Sequence, residues 1–181
     1  IKGFKPYQHQ IDISEKLYNS LKLDTPLLVS LRTMTGTGKT TIAKQLFQNA
    51  YITQYQYIAE TVLDDMPKEC SVEQITSAFN SVGFSSPPSW LKPYPVLSNG
   101  QKMRVDLARA ILEKEKFFVF DEFTSVVDRN VAQIGSFAMQ KAIRKTDKQF
   151  IAVTCHFDVQ DWLLPDWVFN TDTMKIGRAH V

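Results

Sequence analysis

The 181-residue chain has few cysteines, no long apolar run and little net charge, and each absence excludes a class of protein. Cys70 and Cys155 have neither the number nor the spacing of a metal site or a disulfide framework, which suits a reducing cytoplasm. No apolar run approaches the roughly 20 residues needed to cross a bilayer, and we recognise no signal peptide. The formal charge of +2 is too small to indicate nucleic acid or membrane as a partner. We therefore expect a cytoplasmic protein, in which any membrane association is peripheral and runs through another subunit.

A glycine is also absent at one position of a nucleotide-binding motif. Gly38, Lys39 and Thr40 satisfy the end of the pattern G-x-x-x-x-G-K-[ST], but Thr33 occupies the position of its opening glycine. The apolar run at residues 27–31 predicts a buried strand before this loop, and the spacing of apolar residues after it predicts a helix. Strand, loop and helix are the context in which such a loop binds phosphate, because amides at a helix N-terminus face the anion.

The loop predicts a site for a nucleoside triphosphate. Gly36 and Gly38 let the backbone approach the phosphates, while Lys39 reaches their β and γ oxygens. The hydroxyl of Thr40 is expected to bind Mg²⁺. The residues that we expect to contact the nucleotide are Gly36, Thr37, Gly38, Lys39, Thr40 and Thr41.

A second candidate motif follows the apolar run "FFVF". Asp121 and Glu122 come directly after this predicted strand, at the carboxyl edge of the sheet, where α/β folds bind ligands. Asp121 is expected to hold Mg²⁺, directly or through water. Glu122 is then placed to orient or deprotonate an attacking water.

Strands and helices alternate along the chain, which predicts an α/β fold with a mainly parallel sheet. Residues 51–97 differ, because they combine a helix beginning at Ser71, with Gln74 as its capping-box partner, and a proline-rich stretch. We expect a single domain over residues 1–175 that includes this small helical lobe.

Both ends of the chain look unnatural. It begins at Ile1 without a methionine, so we expect upstream sequence to be missing. The last six residues, "IGRAHV", resemble a translation of a common sequencing adapter, ATC GGA AGA GCA CAC GTC. We therefore expect residues 176–181 to be a non-native tail.

The most specific element is the stretch "LSNGQKMRVDLARAIL", residues 97–112. It resembles the signature of ATP-binding-cassette (ABC) ATPases, L-S-G-G-Q followed by a helix carrying A-R-A-L. Asn99 replaces one glycine and Ile111 replaces the leucine; the matching residues are Leu97, Ser98, Gly100, Gln101, Arg104, Ala108, Arg109 and Ala110. The resemblance implies that Ser98, Gly100 and Gln101 contact nucleotide, with the start of the helix acting as a second anion-binding terminus.

Two shorter segments follow in the order of that family. "SVVD", residues 125–128, resembles the D-loop, which reaches across a dimer, and His156 matches the histidine that contacts the γ-phosphate, although Cys155 stands where threonine is usual. The resemblance covers residues 27–156. It implies a P-loop NTPase fold, ATP and Mg²⁺ as cofactors, Glu122 and His156 as catalytic residues, and a head-to-tail homodimer formed through the signature and the D-loop.

Departures from the family pattern leave the physiological role open. Only 57 residues, 41–97, separate Thr40 from Ser98, so the helical lobe is abbreviated. Gln54 and Gln56 are the candidates for the Q-loop, a region that meets the membrane subunits in transporters of this family. A nucleotide-binding subunit of a membrane transporter therefore stays an alternative to a soluble or peripheral ATPase. Residues 85–129 also resemble soluble ABC-type ATPases, some of them associated with GNAT-type acetyltransferase modules, which makes such a module a candidate partner.

The N-terminal quarter supports another hypothesis. "PYQHQIDISEKLY" followed by "TGTGKT" resembles the opening of helicase and restriction-type motors, which implies a DNA-motor fragment or a chimeric reading frame, with nucleic acid as a partner. Residues 97–156 argue against it, because such motors lack a signature helix. A third class, a non-hydrolysing nucleotide-gated binding module, is disfavoured by Glu122 and His156. Tyr7 and Tyr18 are the candidates for stacking on adenine.

Overall fold

A mostly parallel sheet forms the centre of the part of the chain that the computed structural model describes, namely residues 27–32, 43–44, 51–52, 55–170, 173 and 175–178. Its strands are β1 (Leu27–Arg32), β2 (Tyr51–Ile52), β3 (Phe117–Phe120), β4 (Gln149–Thr154), β5 (Trp167–Asn170) and β6 (Lys175–Arg178). They lie in the order β2-β3-β4-β1-β5-β6, and only β5 and β6 pair antiparallel. The predicted α/β fold with a mainly parallel sheet is confirmed.

The helices of the described residues lie between these strands. They are α1 (Val72–Ser81), α2 (Pro87–Trp90), α3 (Asn99–Leu112), α4 (Arg129–Ile143) and α5 (Val159–Leu163), with a 3₁₀ turn at Tyr94–Val96. The predicted capping box of α1 is present. The Ser71 hydroxyl accepts from the Gln74 amide at 3.2 Å, and the Gln74 side chain accepts from the Ser71 amide at 2.8 Å. Among the described residues, no helix has the length and apolar character that crossing a membrane requires.

The core is densest around β4, which lies between β1 and β3 and is covered on both faces. Its fully buried residues are Phe150, Ile151, Ala152 and Val153. The Phe150 ring lies 5.2 Å from that of Phe118 in β3 and 5.5 Å from that of Phe123, which follows β3. Burial of each such ring contributes about 1.5–3 kcal/mol, so the chain just after β3 is anchored firmly.

The helical lobe packs against α3. Its apolar residues Ile75 and Phe79 belong to the same buried cluster as the inner face of α3. The Trp90 indole donates to the Phe84 carbonyl at 2.6 Å, and Gly83 ends the lobe's first helix with a φ of 78°, which favours glycine. The first residues of the predicted lobe range, Tyr51–Ile52, form strand β2, so the helical part begins after that strand.

The segment predicted to be a non-native tail contributes the last strand of the described sheet. Phe169 of β5 pairs with Ile176, and Val168 pairs with Gly177. An edge strand is held by backbone hydrogen bonds, which most proline-free sequences can supply. The pairing is therefore compatible with either origin, and the non-native tail stays a prediction; residues 179–181 lie outside the described residues.

Candidate functional site

The predicted phosphate-binding loop lies outside the described residues, together with several other predicted positions. These are Thr33, Gly36, Thr37, Gly38, Lys39, Thr40 and Thr41 of the loop, and Gln54, Tyr7 and Tyr18 elsewhere. The structure describes what flanks the loop. Strand β1 ends at Arg32, and Ala43 and Lys44 are helical. A strand before the loop and a helix after it were both predicted.

Strands β1, β3 and β4 end at one edge of the sheet. Within parallel pairs, Phe120 of β3 lies beside Ala152 of β4, and Arg32 of β1 lies beside Thr154 of β4. Parallel strands share their carboxyl edge. The acid pair after β3 and the segment of His156 after β4 therefore leave the sheet on the side where β1 also ends, and where ligands bind in open α/β sheets.

The acid pair sits on a backbone turn of unusual conformation. Glu122 and Thr124 have φ values of 53° and 67°, a left-handed conformation that costs energy in residues other than glycine. Phe123 lies between them and is fully buried, and its amide donates to the Val153 carbonyl of β4 at 2.8 Å. Glu122 is exposed at the tip of this turn. Burial of Phe123 thus holds a strained turn that presents the Glu122 carboxylate to solvent.

His156 is held by the strand end that precedes it. Its amide donates to the Thr154 hydroxyl at 3.1 Å. The Nδ1 atom of its ring is buried and has no hydrogen-bond partner within the described ranges. His156 is partly buried, and its segment follows β4, the neighbour of the strand that precedes the acid pair.

The predicted signature residues form a capped helix start. Ser98 is the N-cap of α3: its hydroxyl accepts from the Gln101 amide at 3.3 Å, and its own amide donates to the Gln101 side-chain oxygen at 3.0 Å. The Gln101 side-chain nitrogen donates to the Ser89 hydroxyl at 3.2 Å. Gln101 thus positions Ser98, and the exposed Ser98 stands at a helix N-terminus, where anions bind favourably.

Gly100 allows α3 and α4 to approach closely. A Cβ atom at this position would lie 2.8 Å from a methyl carbon of Val131 in α4, closer than packed carbon atoms come. The glycine of the signature pattern is therefore required for packing, whatever it contributes to nucleotide binding.

A cavity of about 300 Å³ separates the start of α3 from the acid edge. Asn99 and Lys102 line it from α3, and Asp121 and Glu122 line it from the end of β3. Within one chain, the first turn of α3 and the acid pair thus border the same cavity. The N-cap Ser98 is exposed and is not one of the residues that line it.

The segment that resembles a D-loop ends as the cap of α4. One carboxylate oxygen of Asp128 accepts from the amides of Asn130 and Val131, each at 3.0 Å. Val126, two residues earlier, is 65% exposed, although it is apolar. Exposure of this valine is consistent with a segment that packs against another chain.

Metal binding is judged from the donor atoms present. Within the described ranges, no group of three or more acidic, histidine or cysteine side chains is arranged to hold a metal ion. Asp121 offers a hard carboxylate oxygen at the edge of the sheet where β1 ends. Mg²⁺ is typically held by one or two carboxylates together with substrate phosphates, so this donor set fits a magnesium–nucleotide complex.

One group of residues escaped the sequence analysis. Asp106, in the middle of α3, accepts hydrogen bonds from the hydroxyls of Tyr57 and Tyr94. Asp106 and Arg109 stand three residues apart, which indicates a shared helix face, but nothing local to Tyr57 identifies its partner 49 residues away.

Sequence comparisons relate the chain to ATP-binding proteins of transporters. A family model described as "ABC transporter" matches residues 45–125. The methionine import ATP-binding protein MetN 1 of Pseudomonas syringae pv. syringae is 31% identical over 100 residues, which cover 55% of this chain and 29% of that protein. A relative from Mycoplasma pneumoniae, named as an ABC transporter ATP-binding protein, is 41% identical over 64 residues, or 35% of this chain and 18% of that protein. The chain thus spans less than a third of the length of either relative.

Solved structures share the fold. A dimeric ATP-binding cassette in a post-hydrolysis state, bound to ADP and Pi, superposes with a TM-score of 0.67 at 14% identity, covering 86% of this chain and 87% of that one. A bacterial Atm1-family ABC exporter with ATP bound gives a TM-score of 0.67 at 16% identity, covering 85% of this chain and 34% of that one. These likenesses confirm the predicted P-loop NTPase architecture.

Proposed function

We propose that this chain carries a domain of the ATP-binding-cassette ATPase family, and that it binds MgATP and hydrolyses it as a head-to-tail homodimer. The observation that carries the proposal is the convergence, at one sheet edge, of the ends of β1, β3 and β4. Ser98, the N-cap of α3, is exposed and lies outside the cavity that the acid pair lines. We infer that a nucleotide bound at the edge of one chain is contacted by the start of α3 of a second chain.

The residues at this edge have different roles in phosphoryl transfer. Lys39, Thr40 and Asp121 hold the triphosphate with Mg²⁺, which neutralises phosphate charge. Around Lys39 and Thr40, the residues Gly36, Thr37, Gly38 and Thr41 supply backbone amides to the phosphates.

Hydrolysis depends on the groups beside the phosphates. Glu122 polarises water for in-line attack on the γ-phosphate, and its exposed position at the tip of the turn gives it access to that water. His156 stabilises the charge that develops on the phosphoryl oxygens. Ser98, which Gln101 holds in place, presents the N-terminus of α3 together with Gly100 and Gln101 to the nucleotide of the partner chain.

Mixing two inactive variants tests the shared site. Lys39→Ala removes the phosphate contact of one half-site, and Ser98→Arg blocks the other half-site by bulk and charge. Each variant alone should be nearly inactive. Mixed in equal amounts, about half of randomly formed dimers pair an intact Lys39 with an intact Ser98, so ATP turnover should reappear, most clearly at high protein concentration. Heterodimers that form by mass yet hydrolyse no more ATP than the separate variants would contradict the shared site.

A second candidate function is the nucleotide-binding subunit of a transporter. Its support is the names of the relatives, among them a methionine import ATP-binding protein. Under this alternative a membrane subunit stimulates turnover, whereas a soluble or peripheral ATPase turns over without one. ATP hydrolysis by the purified protein, measured with and without membranes from the source cells, separates the two. Partnership with an acetyltransferase module, and with nucleic acid, stays a prediction of the resemblances alone.

A further inference from the structure

Asp106 joins two distant segments of the chain to helix α3. Its Oδ1 atom accepts from the Tyr57 hydroxyl at 2.6 Å, and its Oδ2 atom accepts from the Tyr94 hydroxyl at 2.9 Å. The two tyrosine rings are stacked, with centroids 3.8 Å apart and planes within 4° of parallel. Both carboxylate oxygens are therefore used, one for each segment.

The neighbouring turns of α3 strengthen the same connection. The Arg109 guanidinium lies 4.7 Å from the centroid of the Tyr55 ring and 5.2 Å from that of Tyr57, and it donates to the Gln56 carbonyl at 2.8 Å. Lys102, one turn earlier, lies 5.6 Å from the centroid of Tyr94. Positions 102, 106 and 109 share one face of a helix, so this face as a whole holds residues 55–57 and Tyr94.

A partly buried carboxylate is a costly way to hold a chain in place. Burial raises the pKa of Asp106 to about 6, although the hydrogen bonds from Tyr57 and Tyr94 oppose that rise. Burial also raises the pKa of both tyrosines, which keeps their hydroxyls protonated as donors. Apolar residues in such positions are often neutral or stabilising by comparison. Unlike an apolar residue, Asp106 fixes the orientation of both segments, because hydrogen bonds are directional.

The cluster stands between two parts of the proposed ATP site. Ile52 of β2 pairs with Phe120 of β3, so the chain leaves β2 for residues 55–57 beside the acid pair. Tyr94, Asp106 and Glu122 all line the 300 Å³ cavity. Ser98 lies eight residues before Asp106, about 12 Å along the helix axis.

We propose that Asp106 is a positioning residue that fixes the acid edge of the sheet relative to the signature end of α3, by holding residues 55–57 and Tyr94 on that helix. The inference rests on the proposed function, because the two ends serve different nucleotides of a dimer only if the site is shared. A shift at one ATP then passes to the other through a rigid connection. Without it, each end can move independently of the other.

The test compares variants of the cluster in the full chain. Asp106→Leu removes both acceptors, and the pair Tyr57→Phe with Tyr94→Phe removes both donors while keeping the rings. We expect each to lower kcat for ATP about tenfold or more while KM for ATP changes less than twofold, because the groups that bind the phosphates are untouched. Asp106→Asn keeps one acceptor and should be intermediate. Adding the two tyrosine changes to Asp106→Leu should cost little more, since the interaction is already lost.

A matched control separates positioning from loss of stability. Ile75→Val removes one methyl group from the buried cluster that the lobe shares with α3. It leaves the hydrogen bonds of Asp106 in place. It should lower Tm and leave kcat within twofold. If Asp106→Leu also keeps kcat within twofold while the unaltered chain hydrolyses ATP, the proposal is wrong. If Asp106→Leu does not fold, the tyrosine pair, which deletes only two hydroxyls, decides the outcome.

Hydrogen exchange provides a measurement that does not depend on ATP turnover. Backbone amides of residues 55–60 should exchange about tenfold faster in Asp106→Leu, whereas amides of α1 should be unchanged. Unchanged exchange in residues 55–60 would overturn the positioning role even if turnover falls. An unaltered chain that shows no ATP hydrolysis would instead refute the proposed function, and the exchange result would still decide whether Asp106 holds the two segments together.

Discussion

Arg129 and Asp158 form a two-point ion pair that connects the segment after the D-loop-like stretch with the segment after His156. The Arg129 Nε atom donates to one carboxylate oxygen at 3.0 Å, and Nη2 pairs with the other. The guanidinium also lies 4.8 Å from the centroid of the Trp162 ring in α5. The hydrogen bonds from Arg129 hold the pKa of Asp158 below its ordinary value. Two segments of the proposed site are thus joined by an interaction of fixed geometry.

Breaking this ion pair should affect turnover more than stability. The two side chains are 40% and 44% exposed, so Arg129→Gln should change the free energy of unfolding by no more than about 1 kcal/mol. We expect kcat to fall about tenfold, because His156 then loses its fixed position. The exchanged pair Arg129→Asp with Asp158→Arg should recover part of that loss. Equal loss in the single and exchanged variants would show that the ion pair does not position His156.

Replacing Glu122 tests the assignment of the general base. Glu122→Gln preserves the size of the side chain and the exposed position, so ATP affinity should stay within about twofold. Turnover should fall roughly 10²-fold or more, the range for loss of one acid–base contribution. Glu60→Gln, an exposed change in the lobe segment, serves as the control. Unchanged steady-state hydrolysis in Glu122→Gln would refute the assignment.

Gly100→Ala should destabilise the protein, although alanine normally stabilises a helix relative to glycine by about 1 kcal/mol. The added methyl would meet Val131 at 2.8 Å, so α3 and α4 must separate, at a cost of about 1–3 kcal/mol. Adding Val131→Ala should restore much of the loss, since it removes the contacting methyl groups. Denaturant unfolding of the three variants measures the effect. A single variant as stable as the unaltered chain would contradict the close packing.

The stability of the protein should depend on pH through Asp106. Its pKa rises from an ordinary 3.8 to about 6 on folding, so the folded state binds a proton more tightly than the unfolded state. The stabilisation that the bound proton gives the folded state is fully present below about pH 4 and is lost as pH rises through 6. Asp106→Asn should therefore gain on the order of 2 kcal/mol relative to the unaltered chain between pH 4 and pH 7. Urea denaturation of both proteins measures this difference in the free energy of unfolding. A difference that is the same at all pH values would contradict the assignment.

Deleting residues 176–181 tests the origin of the last strand. Three of the four pairings between this strand and β5 are lost, but β5 keeps its parallel pairing with β1. We expect Tm to fall by less than about 2 °C, which is below ~1 kcal/mol for a chain of this size. A larger fall would show that these residues stabilise the domain as native sequence does.

Local signals accounted for most of the fold. The capping box at Ser71 and Gln74, the apolar run before Asp121 and the alternation of strands and helices along the chain were readable because each depends on neighbouring residues. The same S-x-x-Q pattern recurs at Ser98 and Gln101, where it predicts the observed capping box, yet the nucleotide interpretation of Gln101 obscured it.

Non-local contacts were not readable in the same way. The hydrogen bond between Tyr57 and Asp106 spans 49 residues, and the one between Arg129 and Asp158 spans 29. Such pairs follow from how the lobe and helices pack on the sheet, which one sequence does not encode in any short window. The need for a glycine at position 100 likewise depends on the distance between α3 and α4.

The turn around Phe123 makes the position of the proposed general base, Glu122, depend on the hydrophobic core. Its ring fills space beside Phe150, while the residues on either side, Glu122 and Thr124, keep a left-handed backbone only as long as that ring stays in place. Replacing Phe123 with a smaller residue would let the turn relax toward an ordinary conformation and would move the Glu122 carboxylate from its position. A conservative substitution in the core would thus lower the rate of ATP hydrolysis before any loss of stability became measurable.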